Sequence, residues 1–443
     1  MLHLIQNLKG DKAIWTFVAL LALFSFMPVF SASSNLAYMN HGTGNTISYL
    51  LTHLAHIFVG FIVIYMVHKV PYHYYRGISL IALVLVWGLL VYTLFKGTVI
   101  AGANASRWIK IPFFGTFQTS TVASVVLMVF VARYLARKRE IEITFKSSVI
   151  DLWLPVFITI MLILPANFST AALIFAMVIM LTFVGKYPLK YLGMIIGLGL
   201  VFLTLFVVLA KSFPNAFPNR VDTWISRIDS FTTDKPGEDD YQIEKAKIAI
   251  ASGGLYGLGP GKSVQKHFLP QSSSDFIFAI IVEEGGLIVG LGVMLLYLLL
   301  FFRFIVAAHK CNSLFGKLLV VGLGFPMIFQ AFINMAVAVE LLPVTGQTLP
   351  LISSGGSSIL MTCFSLGIIL SVTKKEEEIA LELKEKQTRK DILEKLIDEQ
   401  IKKEESLEND EDSEESETTH GHSITENSKN PMTAIEGIHI KKQ

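Results

Sequence analysis

Four stretches of the sequence combine residue types and spacings that could do chemistry. The first is FLPQSSSDFIFAIIVEEGG at 268–286, where Asp275 stands at the change from a serine run to an apolar one. A carboxylate at such a boundary costs about 3 kcal/mol or more if it lies in lipid, so water, a partner or a task must keep it there. Two roles are open. Asp275 could sit in the positively charged first turn of a helix capped by Ser272, Ser273 or Ser274, or face an outer cavity as a general base or metal-binding carboxylate. It is the only carboxylate between Glu244 and Glu283. Glu283 and Glu284 follow about 12 Å deeper along a helix, where paired acids need protein or water partners, and structural hydrogen bonding is the expected role.

The second stretch, GGLYGLGPGKS at 253–263, ends like a nucleotide phosphate loop. The match fails, because Tyr256 stands where the first glycine belongs and no strand precedes it. What remains is a run of glycines that expose backbone N–H groups and permit close approach, with Lys262 and Lys266 as cations and Ser263 as a hydroxyl. That is either an anion-binding concavity or a flexible linker. The third stretch, GANASRWIKIPFFGTFQTS at 102–120, holds Arg107, whose planar fork suits phosphate oxygens, beside Trp108 and ahead of Gln118. Arg107 and Trp108 read either as an interfacial anchor pair or as part of an anion site. The fourth, LLPVTGQTLPLISSGGSS at 341–358, breaks an apolar run with prolines, glycines and hydroxyls, Ser354 and Gly355 among them. Broken backbone at membrane depth is tolerated where it is buried in protein or lines a cavity.

The elements that position these residues follow from composition. The chain is 52% hydrophobic and 16% charged, with mean hydropathy +0.56, against about 25% charged residues in soluble proteins. A membrane protein is implied, and a net charge of +2 makes no case for nucleic acid as a partner. Ten apolar runs approach the about 20 residues of a span: 13–31, 46–68, 77–95, 117–136, 148–165, 169–185, 189–210, 276–302, 314–340 and 355–373. The fifth and sixth are divided only by Pro165-Ala166-Asn167-Phe168. The first run lacks a cleavage signal and reads as a retained span. The expected fold is therefore an all-α polytopic membrane protein with ten transmembrane helices.

Lys and Arg alternate between loops in a way that puts both termini in the cytoplasm. The loops at 32–45, 166–168 and 341–354 carry no Lys or Arg, whereas 96–116 holds Lys96, Arg107 and Lys110 and breaks the pattern. A cation retained on the outer face points to an anionic ligand there. A large extracytoplasmic loop, 211–275, lies between the seventh and eighth spans and is expected to fold back onto the bundle. The membrane domain is thus 1–373, followed by a charged amphipathic cytoplasmic helix at 374–403, with Ile392, Leu393, Leu396, Ile397 and Ile401 on one face. The acidic, serine-rich residues 404–443 are expected to be disordered. Cys311 and Cys363 imply no disulfide framework.

Taken in order, Arg107-Trp108-Ile109 with Gln118 and Ser120, the segment from Asp240 to Gly286, and NMAVAVELLPVTGQTLPLISSGGSSIL resemble the shape, elongation, division and sporulation family of peptidoglycan glycosyltransferases. The likeness covers nearly everything but the tail, and PVFSASSNLAY at 28–38 resembles the division branch more than the elongation branch. The resemblance implies polymerisation of lipid II into glycan on the outer face of the cytoplasmic membrane, at the division septum. It also implies a class B penicillin-binding protein and other division membrane proteins as partners. It puts the catalytic aspartate on Asp275 and the Arg-Trp pair on Arg107 and Trp108, with Gln118, Lys262, Ser263, Lys266, Ser354 and Gly355 as substrate-binding candidates and a divalent cation as an optional cofactor. The chain departs from the family where Pro-Ser-Glu and a later Lys usually follow Gln118, since Thr119, Ser120, Thr121 and Ser124 stand there. It departs again at Gln271, usually an acid, and at Pro165-Ala166-Asn167-Phe168, usually Pro-Asp-Leu-Gly. The rival expectations are a flippase for the same lipid and a division scaffold.

Overall fold

The computed structural model describes residues 9–39, 46–97, 107–111, 115–138, 144–212, 238–269, 271–374 and 376–415. The chain divides into two compact units, Met1–Lys374 and Lys375–Gln443. The first contains α1 (Lys12–Met39), α2 (Thr46–Val67), α3 (His73–Lys96), β1 (Trp108–Ile111), β2 (Gly115–Gln118), α4 (Thr119–Arg137), α5 (Phe145–Ile163) and α6 (Phe168–Val184). It continues with α7 (Leu189–Ser212), α8 (Glu238–Gly253), α9 (Ile277–Lys310), α10 (Leu314–Ala338) and α11 (Gly356–Val372).

Helices lie at all ten positions that hydropathy marks out. Eight of the described helices are long and apolar enough to cross a membrane, while α6 and α11 have 17 residues each. Both short helices begin at the same cavity, α6 after the Asn167 cap and α11 after Gly355, so their missing turns are the broken backbone that lines it. Leu85, Phe95 and Val201 are exposed along their helices, an arrangement that is stable against lipid rather than water. α10 packs on α4, α6, α9 and α11 and forms the centre of the bundle. α2 and α11 approach closely through Gly60 and Gly367, the small-residue contact typical of helices in lipid.

The polytopic helical fold is the expected one, with a small addition: Trp108–Ile111 and Gly115–Gln118 pair antiparallel, with Trp108 opposite Gln118. The fourth helix consequently starts at Thr119, and the fifth starts at Phe145 with a π turn over Val149–Trp153. In the second unit the charged helix α12 (Glu376–Glu415) continues past Glu404, its Ile392, Leu393, Leu396, Ile397 and Ile401 exposed. Residues beyond 415, and 213–237 of the large loop, lie outside the described residues.

α9 is not one continuous rod. A helix expects the N–H groups of Leu287 and Ile288 to donate to the carbonyls of Glu283 and Glu284. Instead Leu287 N donates to Gly254 O (2.8 Å) and Ile288 N to Leu255 O (3.4 Å). The two vacated carbonyls accept from Leu258 N and Gly259 N, both at 2.9 Å. The glycine loop is thus spliced into the helical ladder, and these four backbone groups at the break find partners across it. Gly286 (φ 74°) absorbs the turn, and a Cβ there would lie 2.3 Å from Leu255 O. Gly257 mirrors it, its Cβ position lying 2.2 Å from Glu284 O.

The end of the bundle away from the cavity is closed by Asp11. Its Oδ1 accepts from Ala13 N (2.9 Å) at the start of α1, and Arg303 of α9 grips it with Nε at 2.9 Å and Nη2 at 2.7 Å. Asp11 N donates to Thr373 Oγ1 at the end of α11 (3.0 Å).

Candidate active site

Asp275 is half-buried in the turn that leads into α9. It precedes the helix: Phe276 is the N-cap, with no side-chain cap hydrogen bond, and the first turn holds no acid. The turn is instead sewn to the broken segment before α11. Ser354 N and Ser354 Oγ both donate to Ser273 O (2.9 Å each), and Ser353 Oγ donates to Ser274 O (2.6 Å). From α10, Asn334 Nδ2 donates to Asp275 O and to Gln347 O, both at 2.7 Å. One helical turn earlier Gln330 Nε2 holds Thr348 O at 2.9 Å. These ties place Gly346 against the carboxylate, so close that a Cβ there would lie 3.4 Å from Asp275 Oδ2.

Gly346 lines a cavity of about 130 Å³ together with Trp108, Gln118, Gln330, Gln347 and Gly355. Its walls are apolar lower down, from Met128, Ile174 and Leu323, and hydroxyl- and amide-rich near Asp275. That pairing suits a ligand with a greasy chain and a polar head. Gln118 Nε2 donates to Ser120 Oγ (3.0 Å), and Gln347 Nε2 to Thr170 Oγ1 (3.1 Å), fixing both amides in the wall. Arg107 adjoins this space. Its Nε donates to Ala166 O (2.7 Å) and it lines a smaller cavity with Thr119, Ser120 and Asn167.

The sequence-derived residues therefore separate into two groups. Trp108, Gln118 and Gly355 come together at the main cavity, with Asp275 behind its Gly346 wall and Arg107 beside it. Ser263 and Lys266 do not, because both are buried against the two glutamates. Glu283 accepts from Ser263 Oγ, Val264 N (2.9 Å) and Gln265 N (3.2 Å), while Glu284 accepts from Ser263 N (3.2 Å) and Ser31 Oγ. Lys266 Nζ donates to Gly261 O (2.7 Å) and Ser31 Oγ (3.2 Å). The acids are satisfied by hydrogen bonds, as expected for charges at that depth. Lys262 is exposed on the glycine loop, and Ser354 spends its hydroxyl on Ser273 O. Sequence reasoning did not single out Asn334 or Gln330, and it reached Gln347 only through the broken segment at 341–358. Among the described residues no group of three His, Cys, Asp or Glu side chains could hold a metal ion. A single carboxylate among the described residues beside the cavity does not fit a resident cation.

Comparison with known proteins gives a consistent picture. The family model for the cell cycle proteins FtsW, RodA and SpoVE matches residues 11–378. A probable peptidoglycan glycosyltransferase FtsW of Saccharophagus degradans is 32% identical over 369 residues, 82% of this chain and 92% of that protein. Stage V sporulation protein E of Bacillus subtilis is 30% identical over 375 residues, 83% of this chain and 98% of its own length. Among solved structures, a chain of a peptidoglycan synthase complex that coordinates polymerisation and crosslinking superposes with TM-score 0.62 at 22% identity, covering 82% of this chain and 97% of that one. Rod shape determining protein RodA of Thermus thermophilus gives 0.59 at 23%, covering 83% and 98%. With a family match over most of its length, a relative above 30% identity and the same polytopic fold, this chain belongs to the FtsW, RodA and SpoVE family of cell cycle proteins.

Proposed function

We infer that this chain is a peptidoglycan glycosyltransferase that extends glycan from lipid II on the outer face of the cytoplasmic membrane. The observation that carries the reading is Asp275, a lone carboxylate held by backbone ties at the rim of a cavity that is polar at its mouth and apolar below. In the reaction, a sugar hydroxyl oxygen forms a bond to the donor's anomeric carbon as the bond from that carbon to the pyrophosphate oxygen breaks. The hydroxyl proton passes to the Asp275 carboxylate, and the undecaprenyl pyrophosphate leaves with the bonding electron pair. Direct displacement of this kind inverts the anomeric centre and needs a single base, unlike the carboxylate pair of hydrolases. Arg107 and exposed Lys262 are the cations assigned to the departing pyrophosphate. Trp108, Gln118 and Gly355 shape the wall. Ser263, Lys266 and Ser354 act as positioning residues, holding the loop and the Asp275 turn.

The proposed partners are a class B penicillin-binding transpeptidase and other division membrane proteins at the septum, supported by the likeness to a chain of a complex that coordinates polymerisation and crosslinking, and the basic loops support both termini in the cytoplasm. The test is reconstitution with the transpeptidase partner and labelled lipid II. Glycan ladders present in the parent protein and lost in Asp275→Asn support the reading. A variant that polymerises normally sinks it. Transbilayer movement of the lipid without polymer would establish a flippase instead.

A further inference from the structure

A second site lies at the other end of the bundle. Arg133 sits fourteen residues along α4 from Thr119, about 21 Å below the cavity mouth. The residue is only partly exposed, and its Nη1 is covered with no hydrogen-bond partner. Its electrostatic neighbours are Arg137, one turn further along α4, and Arg76 in the first turn of α3. None of the three guanidinium groups makes an ion pair among the described residues. Among the described acids at this end, Asp151 in the π turn of α5 is engaged by Lys138 at 3.7 Å and Asp11 by Arg303. Beside the cluster the buried Tyr134 hydroxyl also has no partner.

Three like charges held together with a covered, unsatisfied donor describe half of an interaction. A buried donor left unpaired is destabilising, more so when it is charged, and mutual repulsion adds to that. A membrane places a ready acceptor at this depth. Phosphate groups of the headgroup layer lie at the helix ends, and basic pockets between helices on one face of a bilayer bind anionic lipid heads. Planar guanidinium forks match phosphate oxygens two at a time.

We propose that Arg76, Arg133 and Arg137 form a binding site for a phosphate group, carried by the headgroup of an anionic phospholipid, at the end of the bundle opposite Asp275. The lipid supplies the missing acceptor for Arg133 Nη1 and neutralises the cluster, clamping the start of α3 to the end of α4. Since the first turn of α4 lies in the cavity wall at Ser120, the clamp also braces that wall from below.

The test uses the full-length protein in a neutral detergent, with thermal unfolding as the readout. Short-chain phosphatidylglycerol, short-chain phosphatidylcholine and inorganic phosphate are titrated in turn. The expected result is a saturable rise in Tm with phosphatidylglycerol that neither phosphatidylcholine nor the same concentration of inorganic phosphate reproduces. Arg133→Gln is expected to weaken that response about tenfold or more, the value of one charge-assisted hydrogen bond. Arg133→Lys, which keeps the charge and loses the fork, serves if Arg133→Gln does not fold, and its response falls in between. An equal response to inorganic phosphate overturns the lipid source. An equal response to phosphatidylcholine, or a response unchanged in both Arg133 variants, overturns the site. A purely topological role for the arginines gives no saturable binding at all. The readout does not depend on glycan synthesis, so failure here leaves the role of Asp275 untouched, and failure of Asp275→Asn leaves this site untouched.

Discussion

Replacing Asn334 by Leu is the perturbation that bears most directly on how Asp275 is held. Asn334 is 1% exposed and its Nδ2 bridges two carbonyls, Asp275 O and Gln347 O, at 2.7 Å each. Leucine matches the volume but donates nothing, so both carbonyls lose a partner at about 1–3 kcal/mol each. Part of that is offset, because the Asn334 Oδ1 is itself buried without a partner and leucine removes that burden. A net destabilisation of about 2 kcal/mol is expected, small enough for the protein to fold. The kinetic effect is larger. Without the bridge the Asp275 turn and the Gly346–Gln347 segment part, and a displacement of about 1 Å at a reacting group costs on the order of a hundredfold. Polymerisation of labelled lipid II should therefore show kcat reduced about a hundredfold with KM changed little, since the cavity wall below is intact. Asn334→Asp, an acceptor where a donor is needed, should be no better than leucine, while Asn334→Ser should recover part of kcat. Wild-type turnover in Asn334→Leu would refute the reasoning, as would a loss confined to KM.

Two further outcomes follow from the splice in α9. Gly286→Ala forces a methyl group to within 2.3 Å of Leu255 O at a left-handed backbone angle, and a loss of several kcal/mol is expected, seen as failure to accumulate or a steep fall in Tm. Ser263→Ala removes a donor to Glu283 and the acceptor for Lys266 N (3.1 Å), and should lower thermal stability by about 1–3 kcal/mol while the folded fraction keeps its KM for lipid II. A raised KM with unchanged stability would return Ser263 to the substrate site.

Much of the architecture was written in hydropathy, because a span in lipid must be apolar and basic residues accumulate in particular loops. The site was legible where a residue stood out against its surroundings. Asp275 did so as a lone carboxylate, Trp108 and Gln118 by flanking a charged outer loop, and Gly355 by ending a broken run. Asn334 gave no such signal. One amide among apolar helix residues looks like any other, and its importance comes from two carbonyls, one of them fifty-nine positions away. Lys266 misled for the same reason: its type and glycine-rich setting fit an anion site, yet its ammonium is turned inward by Ser31, 235 residues earlier. The glycines were read as permitting close approach, which holds, but what approaches is the protein's own helix. The hairpin was legible in principle, since WIKI and GTFQ alternate on either side of Pro112, and was masked by the apolar tally of the following span.

The interruption at Gly286 has a mechanical meaning. Cut free of the helical ladder behind it, the leading stretch of α9 is fastened to the glycine loop and to the segment before α11 rather than to its own continuation. Force applied to residues 254–259 is therefore delivered to the turn that bears Asp275 without first bending a membrane-embedded rod. The Asp275 carboxylate is suspended from the exterior of the molecule, like a latch worked from outside the door, while the remainder of α9 stays anchored through Arg303 and Asp11 at the far surface.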